Sequence, residues 1–162
     1  MKNKYKGWLY IAVFVLVVVW SQSVNAETTQ VTNFEDLMEN LNRGEEVKVV
    51  VHYGDCKLIS DNEVQDRSPQ AIGGMKIHVF EYFAKGAVGN NQAFVAFSHS
   101  SLINYRGFLY NYVKFKVTKD NQVTVTAQYI DPQNYTIEMD EKFFSEINNG
   151  KNEGAVYFYR VD

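Results

Sequence analysis

The stretch that decides the fold is residues 108–131, FLYNYVKFKVTKDNQVTVTAQYID. Two alternating runs flank a polar turn at 119–122, and Asp and Asn between alternating β formers predict a β-hairpin. One face of each arm carries mostly apolar side chains: Leu109, Asn111, Val113, Phe115 and Val117 on the first arm, and Val123, Val125, Ala127 and Tyr129 on the second. One buried face and one wet face are typical of an antiparallel sheet.

Strand-like runs continue on both sides of this hairpin. The pattern predicts strands at 47–53, 75–83, 92–103 and 155–161, and a short strand at 135–139 followed by a helical turn over 140–147. The polar segment 57–67 is expected to be a loop or an irregular edge. Six or seven strands result, and their connections are too short for helical crossovers, so the sheet should be antiparallel.

One short helix is predicted near the start of the domain, within TNFEDLMENLNRGEE at 32–46. Its apolar residues recur at helical spacing: Phe34, Leu37, Met38 and Leu41. Thr32 with Glu35 fits a capping box, Asn33 is the alternative cap, and Gly44 ends the helix. The predicted fold class is α+β, mainly β: an antiparallel curved sheet, forming a sandwich or a partly closed barrel, with one N-terminal amphipathic helix.

Residues 1–26, MKNKYKGWLYIAVFVLVVVWSQSVNA, have the layout of a secretory signal peptide. A lysine-bearing start precedes an uncharged, mostly apolar run at 8–20, which is shorter than the ~20 residues of a membrane-spanning helix. We expect cleavage between Ala26 and Glu27, leaving one domain at 27–162 in the periplasm or outside the cell, with no membrane span; an uncleaved anchor is the alternative. A lipoprotein is not expected, because the only cysteine, Cys56, lies far from this site.

Charge and cysteine content restrict the partners. The predicted mature domain keeps 13 of the 16 basic residues and all 19 acidic ones, a net charge of −6. An acidic domain repels phosphate backbones, so nucleic acid is not an expected partner. With one cysteine the chain forms no internal disulfide. Cys56 is either a buried inert thiol, an intermolecular disulfide or a reactive thiol, and the chain is a monomer or a weak dimer.

The histidines give the sharpest chemical hypothesis. His52, His78 and His99 all fall on predicted strands, without HxH or HxxxH spacing, so no metal site and no cofactor are predicted. Cys56 with any of these histidines could form a thiol nucleophile and its base, and the candidate residues are Cys56, His78 and His99. Asp55 beside the cysteine opposes this, since a neighbouring carboxylate raises a thiol pKa. No GxSxG, P-loop or GxGxxG motif is present.

Clustered aromatic residues suggest a surface for binding instead. The candidates are Tyr82, Tyr110 and Tyr112, which alternate with core-facing positions on predicted strands. Aromatic clusters of this kind either fill a sheet core and pair across strands or form a surface for a glycan, a peptide or an apolar ligand.

Several segments together resemble one known family. They are YGDCKL at 53–58, AIGGMKIHVFEYF at 71–83, FVAFSHSSLI at 94–103, GFLYNYVKFKV at 107–117, VTVTAQY at 123–129 and GAVYFY at 154–159. This series is similar to the VirK family named after the virulence-region protein of plant pathogens, not to the enterobacterial protein of the same name. The resemblance implies a small exported bacterial protein associated with virulence or host contact, and it brings no catalytic residues and no cofactor.

Three classes of function follow. The leading hypothesis is an exported, virulence-associated, non-enzymatic module that binds a protein, a glycan or an apolar ligand. The alternative is a small hydrolase or thiol enzyme that uses Cys56 with a histidine. The third is an assembly factor that pairs through sheet edges or through a Cys56 disulfide.

Overall fold

The structure is a computed structural model, and it describes residues 27–60 and 63–161. The predicted signal peptide and Ala26 lie outside the described residues. The elements in chain order are β1 (Thr28–Val31), α1 (Phe34–Asn42), β2 (Glu46–His52), a 3-10 turn (Tyr53–Asp55), β3 (Lys57–Ser60), β4 (Glu63–Val64), β5 (Ile72–Lys76), β6 (Glu81–Phe83), β7 (Phe94–Asn104), β8 (Phe108–Thr118), β9 (Gln122–Ile130), β10 (Ile137–Glu146) and β11 (Val156–Val161).

The strands form two sheets. The smaller has four strands in the order β1-β11-β2-β5, and the larger has seven in the order β4-β3-β10-β9-β8-β7-β6. Every pairing between these strands is antiparallel, as expected. Within the described chain both sheets end in edge strands, so the fold is mainly β with open sheets and is not closed into a barrel.

Both sheets and the helix contribute to a single core. Fully buried side chains come from each of them, for example Leu37 of α1, Val49 of β2 and Phe115 of β8. The rings of Phe97 and Phe158, one from each sheet, meet edge to face at 6.2 Å. The apolar stripes of the sequence therefore fold onto one another, which is what stabilises a chain without an internal disulfide.

Helix α1 lies where the apolar spacing predicts one. Asn33 is the cap, since its side-chain oxygen accepts a hydrogen bond from the Asp36 N–H at 2.9 Å. Phe34, Leu37 and Leu41 form the buried face. Thr32 is therefore not the cap, and the capping box is replaced by an asparagine cap.

The predicted hairpin is confirmed as β8 and β9, with Val113 opposite Ala127 and Val117 opposite Val123. The alternation sets this register, because a one-residue slip would expose every core side chain. In the turn, Asn121 has a φ of 67° and its N–H bonds the Thr118 carbonyl. Asparagine tolerates this left-handed conformation better than most residues.

The helical turn predicted over 140–147 is wrong. Strand β10 continues through Glu146 and pairs with β9 along its length, with Phe143 opposite Val125. On its other side it pairs with β3. The charged residues at 140–142 suggested a helix from local propensity, but pairing on both sides supplies the backbone hydrogen bonds and overrides it.

The single strand predicted over 75–83 is also wrong. Its start belongs to β5 in the smaller sheet, and its end is β6 in the larger sheet. Residues 77–80 cross between the sheets, so His78 is exposed and does not lie on a strand. This split and the short strands β1, β3 and β4, which show little alternation, explain why the described residues form eleven strands where six or seven were expected.

Candidate functional site

An open cleft of about 760 Å³ lies between the larger sheet and the edge of the smaller one. Strands β7 to β10 form its floor, and Tyr53 and β5 form one wall. The floor exists because β7 and β8 are eleven residues long, whereas the strands of the smaller sheet have four to seven residues. The inner face of the larger sheet therefore extends beyond its cover.

The register of the strands sets the order of side chains across this floor. One row consists of His99, Val113, Ala127 and Glu141, directly opposite one another on β7, β8, β9 and β10. The next row consists of Ser101, Asn111, Tyr129 and Met139. All eight residues line the cleft. Apolar groups occupy the middle of the first row, and polar groups lie at its two ends.

His99 and Glu141 are three strand spacings apart, about 14 Å at ~4.8 Å per spacing. A general acid and base must each reach the reacting proton within hydrogen-bond distance or through one water. The two side chains therefore do not form a directly coupled pair. The row is better suited to holding a ligand along its length than to transferring a proton across it.

Glu141 is the charged group of this floor. It is partly buried, and burial raises the pKa of its carboxyl above the ordinary value. Within the described chain its carboxylate has no hydrogen bond and no ion pair, whereas Asp140, on the opposite face, accepts a hydrogen bond from Gln128 at 3.1 Å. A desolvated carboxylate without a partner costs folding free energy, so a cationic group or a hydrogen-bond donor would stabilise it.

Other polar side chains, among them those of His99, Ser101 and Asn111, face the cleft without a hydrogen bond or an ion pair within the described chain. His99 is exposed, whereas Ser101 and Asn111 are half-buried, and half-buried polar groups are usually paired within the protein or with water. These three side chains and the Glu141 carboxylate are thus available to a ligand on one concave surface.

The wall of the cleft consists of an aromatic side chain and, next to it, a stretch of main chain without side chains. The Tyr53 ring meets the Phe143 ring edge to face at 4.7 Å, and burial raises the pKa of the Tyr53 hydroxyl. Gly73 lies against Tyr53, because a Cβ there would be 2.9 Å from the tyrosine Cε2. Gly73 and Gly74 have no side chains, so the atoms that they present to the cleft belong to the main chain.

A family model described as VirK protein matches residues 30–135, more than half of the 162-residue chain. The chain belongs to the VirK family. The crystal structure of a VirK family protein from Legionella pneumophila resembles this fold with a TM-score of 0.58 and 10% sequence identity, covering 80% of this chain and 97% of that one. No curated protein matches the chain significantly.

The family match includes β7, β8 and β9 of the cleft and ends before β10, so it does not include Glu141. The structural likeness extends the shared fold beyond the matched segment, and at this identity it concerns the fold alone. No helix among the described residues of this family member is long and apolar enough to cross a membrane.

Cys56 does not line the cleft. Its side chain is 7% exposed, and its Sγ donates to the His52 carbonyl oxygen at 3.5 Å. Burial raises the pKa of the thiol to about 11, with a further increase from Asp55, while a hydrogen bond with Ser145 acts in the opposite direction. A thiol in this environment stays protonated at neutral pH and is a weak nucleophile.

No histidine ring is a hydrogen-bond partner of this thiol within the described chain. The His52 ring lies 5.0 Å from the Tyr157 ring, and its Nδ1 is 3.9 Å from a carboxylate oxygen of Asp55. His99 lines the cleft, whereas His78 and Cys56 do not. Among residues 27–60 and 63–161, no three His, Cys, Asp or Glu side chains are arranged to hold a metal ion.

The three candidate tyrosines lie on two different faces. Tyr110 and Tyr112 are half-buried on the outer face of the larger sheet, opposite Leu102 and Ser100 on β7. Tyr82 pairs with the core residue Val95 and therefore points to the inner side at the end of the sheet, where it is exposed. The three do not form one surface, and none of them lines the cleft.

Sequence reasoning missed most of the cleft. Asn111 and Tyr129 stand among apolar residues on the inward faces of the hairpin, and a polar group in such a row is a usable signal for a site. Glu141 gave no such signal, because its segment was interpreted as helix. Its inward direction follows only from the pairing of β10 with β9.

Proposed function

We propose that this VirK family member is an exported, virulence-associated binding module that acts without catalysis, and that the cleft is its ligand site. The observation that carries the proposal is the open cleft, in which Glu141, His99, Ser101 and Asn111 form no hydrogen bond or ion pair within the described chain. Ligand sites are typically concave, about 300–1,000 Å³ in volume and mostly apolar, with a few polar groups that orient the ligand. Export rests on the sequence of residues 1–26 and is part of the proposal.

The surroundings of the candidate nucleophile also support binding over catalysis. An enzyme of the thiol class needs a thiolate within reach of a base. The Cys56 thiol has a raised pKa, is buried in the core and does not line the cleft, whereas His99 does. The unpaired groups of the cleft offer hydrogen bonds and one negative charge along a fixed surface, which is what recognition requires.

The test uses N-phenyl-1-naphthylamine, a neutral apolar dye whose fluorescence rises in apolar sites. Ala127 is 8% exposed and lies in the middle of the floor, so Ala127→Phe should fill the cleft. We expect the wild type to bind the dye saturably and Ala127→Phe to lose at least tenfold in affinity. Ala127→Leu should give a smaller loss.

The matched control is Thr126→Phe, which adds the same ring on the opposite face of the same strand. Circular dichroism and thermal melting check that each variant is folded. If the wild type fails to bind the dye, or if Ala127→Phe and Thr126→Phe bind it equally well, the cleft is not the ligand site.

A further inference from the structure

Strand β5 leaves one side of its backbone unpaired beside the cleft. It pairs with β2, and no other described strand lies against it. The Ile77 N–H bonds the Val47 carbonyl and the Tyr53 N–H bonds the Ala71 carbonyl, each at 2.9 Å, so the odd-numbered positions bond to β2. Because bonding directions alternate along a strand, the N–H and C=O groups of Ile72, Gly74 and Lys76 point to the free side.

This edge lacks the usual protection. Natural edge strands are blocked by charges, prolines, bulges or a covering segment, because a free edge pairs readily with another chain. Here two consecutive glycines leave the main chain open, and Ile72 is 70% exposed. Lys76 is a partial exception, but its ammonium group pairs with Glu46.

The free edge and the unpaired carboxylate belong to the same cleft, since Gly74 and Glu141 both line it. A strand added to β5 would direct alternate side chains onto the cleft floor, because successive side chains of a strand point to opposite faces. Glu141 has no cationic partner in the described chain, and the predicted mature charge of −6 attracts cationic ligands.

We propose that the cleft binds an extended peptide segment of another protein, which adds as a strand to the free edge of β5 and places a lysine or arginine side chain at Glu141. The inference rests on the proposed binding function and specifies its ligand. A peptide fits better than a small amine, because the edge offers main-chain donors and acceptors that only another backbone satisfies in register. Apolar side chains beside the basic one would cover Val113 and Ala127.

The test selects binders from a displayed library of random nonapeptides with the immobilised mature protein. We expect enriched sequences with one basic residue at a fixed position between alternating apolar residues. Glu141→Gln should select without the basic preference and should bind the wild-type consensus peptide at least tenfold more weakly, the usual scale for losing a charged hydrogen bond.

A pair of variants at Ile72 tests the strand addition. Ile72→Pro removes an N–H that faces the free edge and leaves the bonds to β2 intact, so we expect it to lose peptide binding at least tenfold. Ile72→Ala removes the same side chain and keeps the N–H, so its affinity should remain close to that of the wild type. Thermal melting verifies that both variants are folded.

The outcomes separate the two proposals. Dye binding to the cleft without any enriched peptide overturns the peptide inference and leaves the binding function standing. The inference is also overturned if the enriched peptides show no preference for a basic residue, or if Ile72→Pro and Ile72→Ala bind the peptide equally well. It is overturned as well if the protein forms a dimer that binds no peptide and that Ile72→Pro prevents from forming. Loss of both dye and peptide binding in the folded wild type removes both proposals.

Discussion

At the scale of single residues, Cys56 shows how burial decides chemistry. The same thiol was open to three interpretations in the sequence, and its environment favours the inert one: it is packed in the core, bonded to the His52 carbonyl and shifted to a pKa of about 11. The intermolecular disulfide and the reactive thiol both require an accessible sulfur. Both hypotheses remain predictions, and a thiol-specific reagent can test them.

We therefore expect Ellman's reagent to react slowly with the native protein at about pH 8. A pKa near 11 in place of 9.0 lowers the thiolate fraction about a hundredfold, and burial slows the reaction further. Denaturant should restore the rate of an ordinary thiol, and Cys56→Ser is the blank. Native protein reacting at the denatured rate would contradict a buried thiol, as would a dimer band on non-reducing gels that disappears with reductant.

The same shift gives a stability prediction with a definite sign. The folded state holds the Cys56 proton to a higher pH than the unfolded state, so the stability that this thiol contributes is fully present below pH 9 and decreases as the pH rises toward 11. Denaturation by urea at two alkaline pH values, for the wild type and Cys56→Ser, measures this. An equal loss of stability in both proteins would exclude the thiol as its cause.

At the scale of elements, the turn between β8 and β9 also anchors helix α1. The Asn121 side-chain oxygen accepts a hydrogen bond from the Phe34 N–H at 2.7 Å, and its carbonyl accepts one from the Ile147 N–H at 2.9 Å. One residue thus connects a hairpin, the first turn of the helix and the end of β10. Such a connection is invisible in a sequence, where Asn121 indicates only a turn.

Two substitutions at Asn121 separate these roles. Asn121→Gly keeps the left-handed φ of 67° and loses the side-chain acceptor, so we expect a loss of about 1 kcal/mol. Asn121→Ala adds a cost of ~1 kcal/mol for a β-carbon in that conformation. Urea unfolding gives both values. A Gly variant as stable as the wild type would show that the hydrogen bond to Phe34 contributes nothing to stability. Gly and Ala variants of equal stability would show that the left-handed backbone conformation at this position costs alanine nothing.

The elements that sequence reasoning placed correctly are those with strong local patterns. The hairpin and α1 have alternation or helical spacing over many residues and good caps or turns. The errors fall where pairing partners decide: 140–147 became β10 because β3 and β9 lie on both sides of it, and 75–83 divided because its two halves pair with β2 and β7. Local propensity carries no information about such partners.

At the scale of the whole molecule, the cleft arises from unequal strand lengths and from one register. His99 and Glu141 are separated by forty-two positions in the chain, and three consecutive antiparallel pairings place them in one row. The sequence shows which faces of β8 and β9 point inward, so the middle of the row was within reach of prediction. The wall of the cleft could not be predicted from the sequence, because it forms only when one sheet packs against the other.

A binding cleft with an unpaired carboxylate lowers the stability of the fold, and the pH dependence caused by Glu141 allows this loss to be measured. Its folded pKa lies above the ordinary value of a glutamate, because burial disfavours the charged form. The folded state therefore retains a proton that the unfolded state has lost, and the protein loses stability as the pH rises from the unfolded toward the folded pKa. Above both pKa values the carboxyl is ionised in both states, and the whole penalty is then present.

Glu141→Gln removes that charge. We expect the variant to melt at the same temperature as the wild type at about pH 4 and at a higher temperature at about pH 7, while binding the selected peptide more weakly. Asp140→Asn removes one charge from the other face of the same strand and controls for net charge. A Glu141→Gln variant that melts lower than the wild type at neutral pH would mean that the carboxylate is already stabilised within the fold, and a ligand would then have no unpaired charge to satisfy.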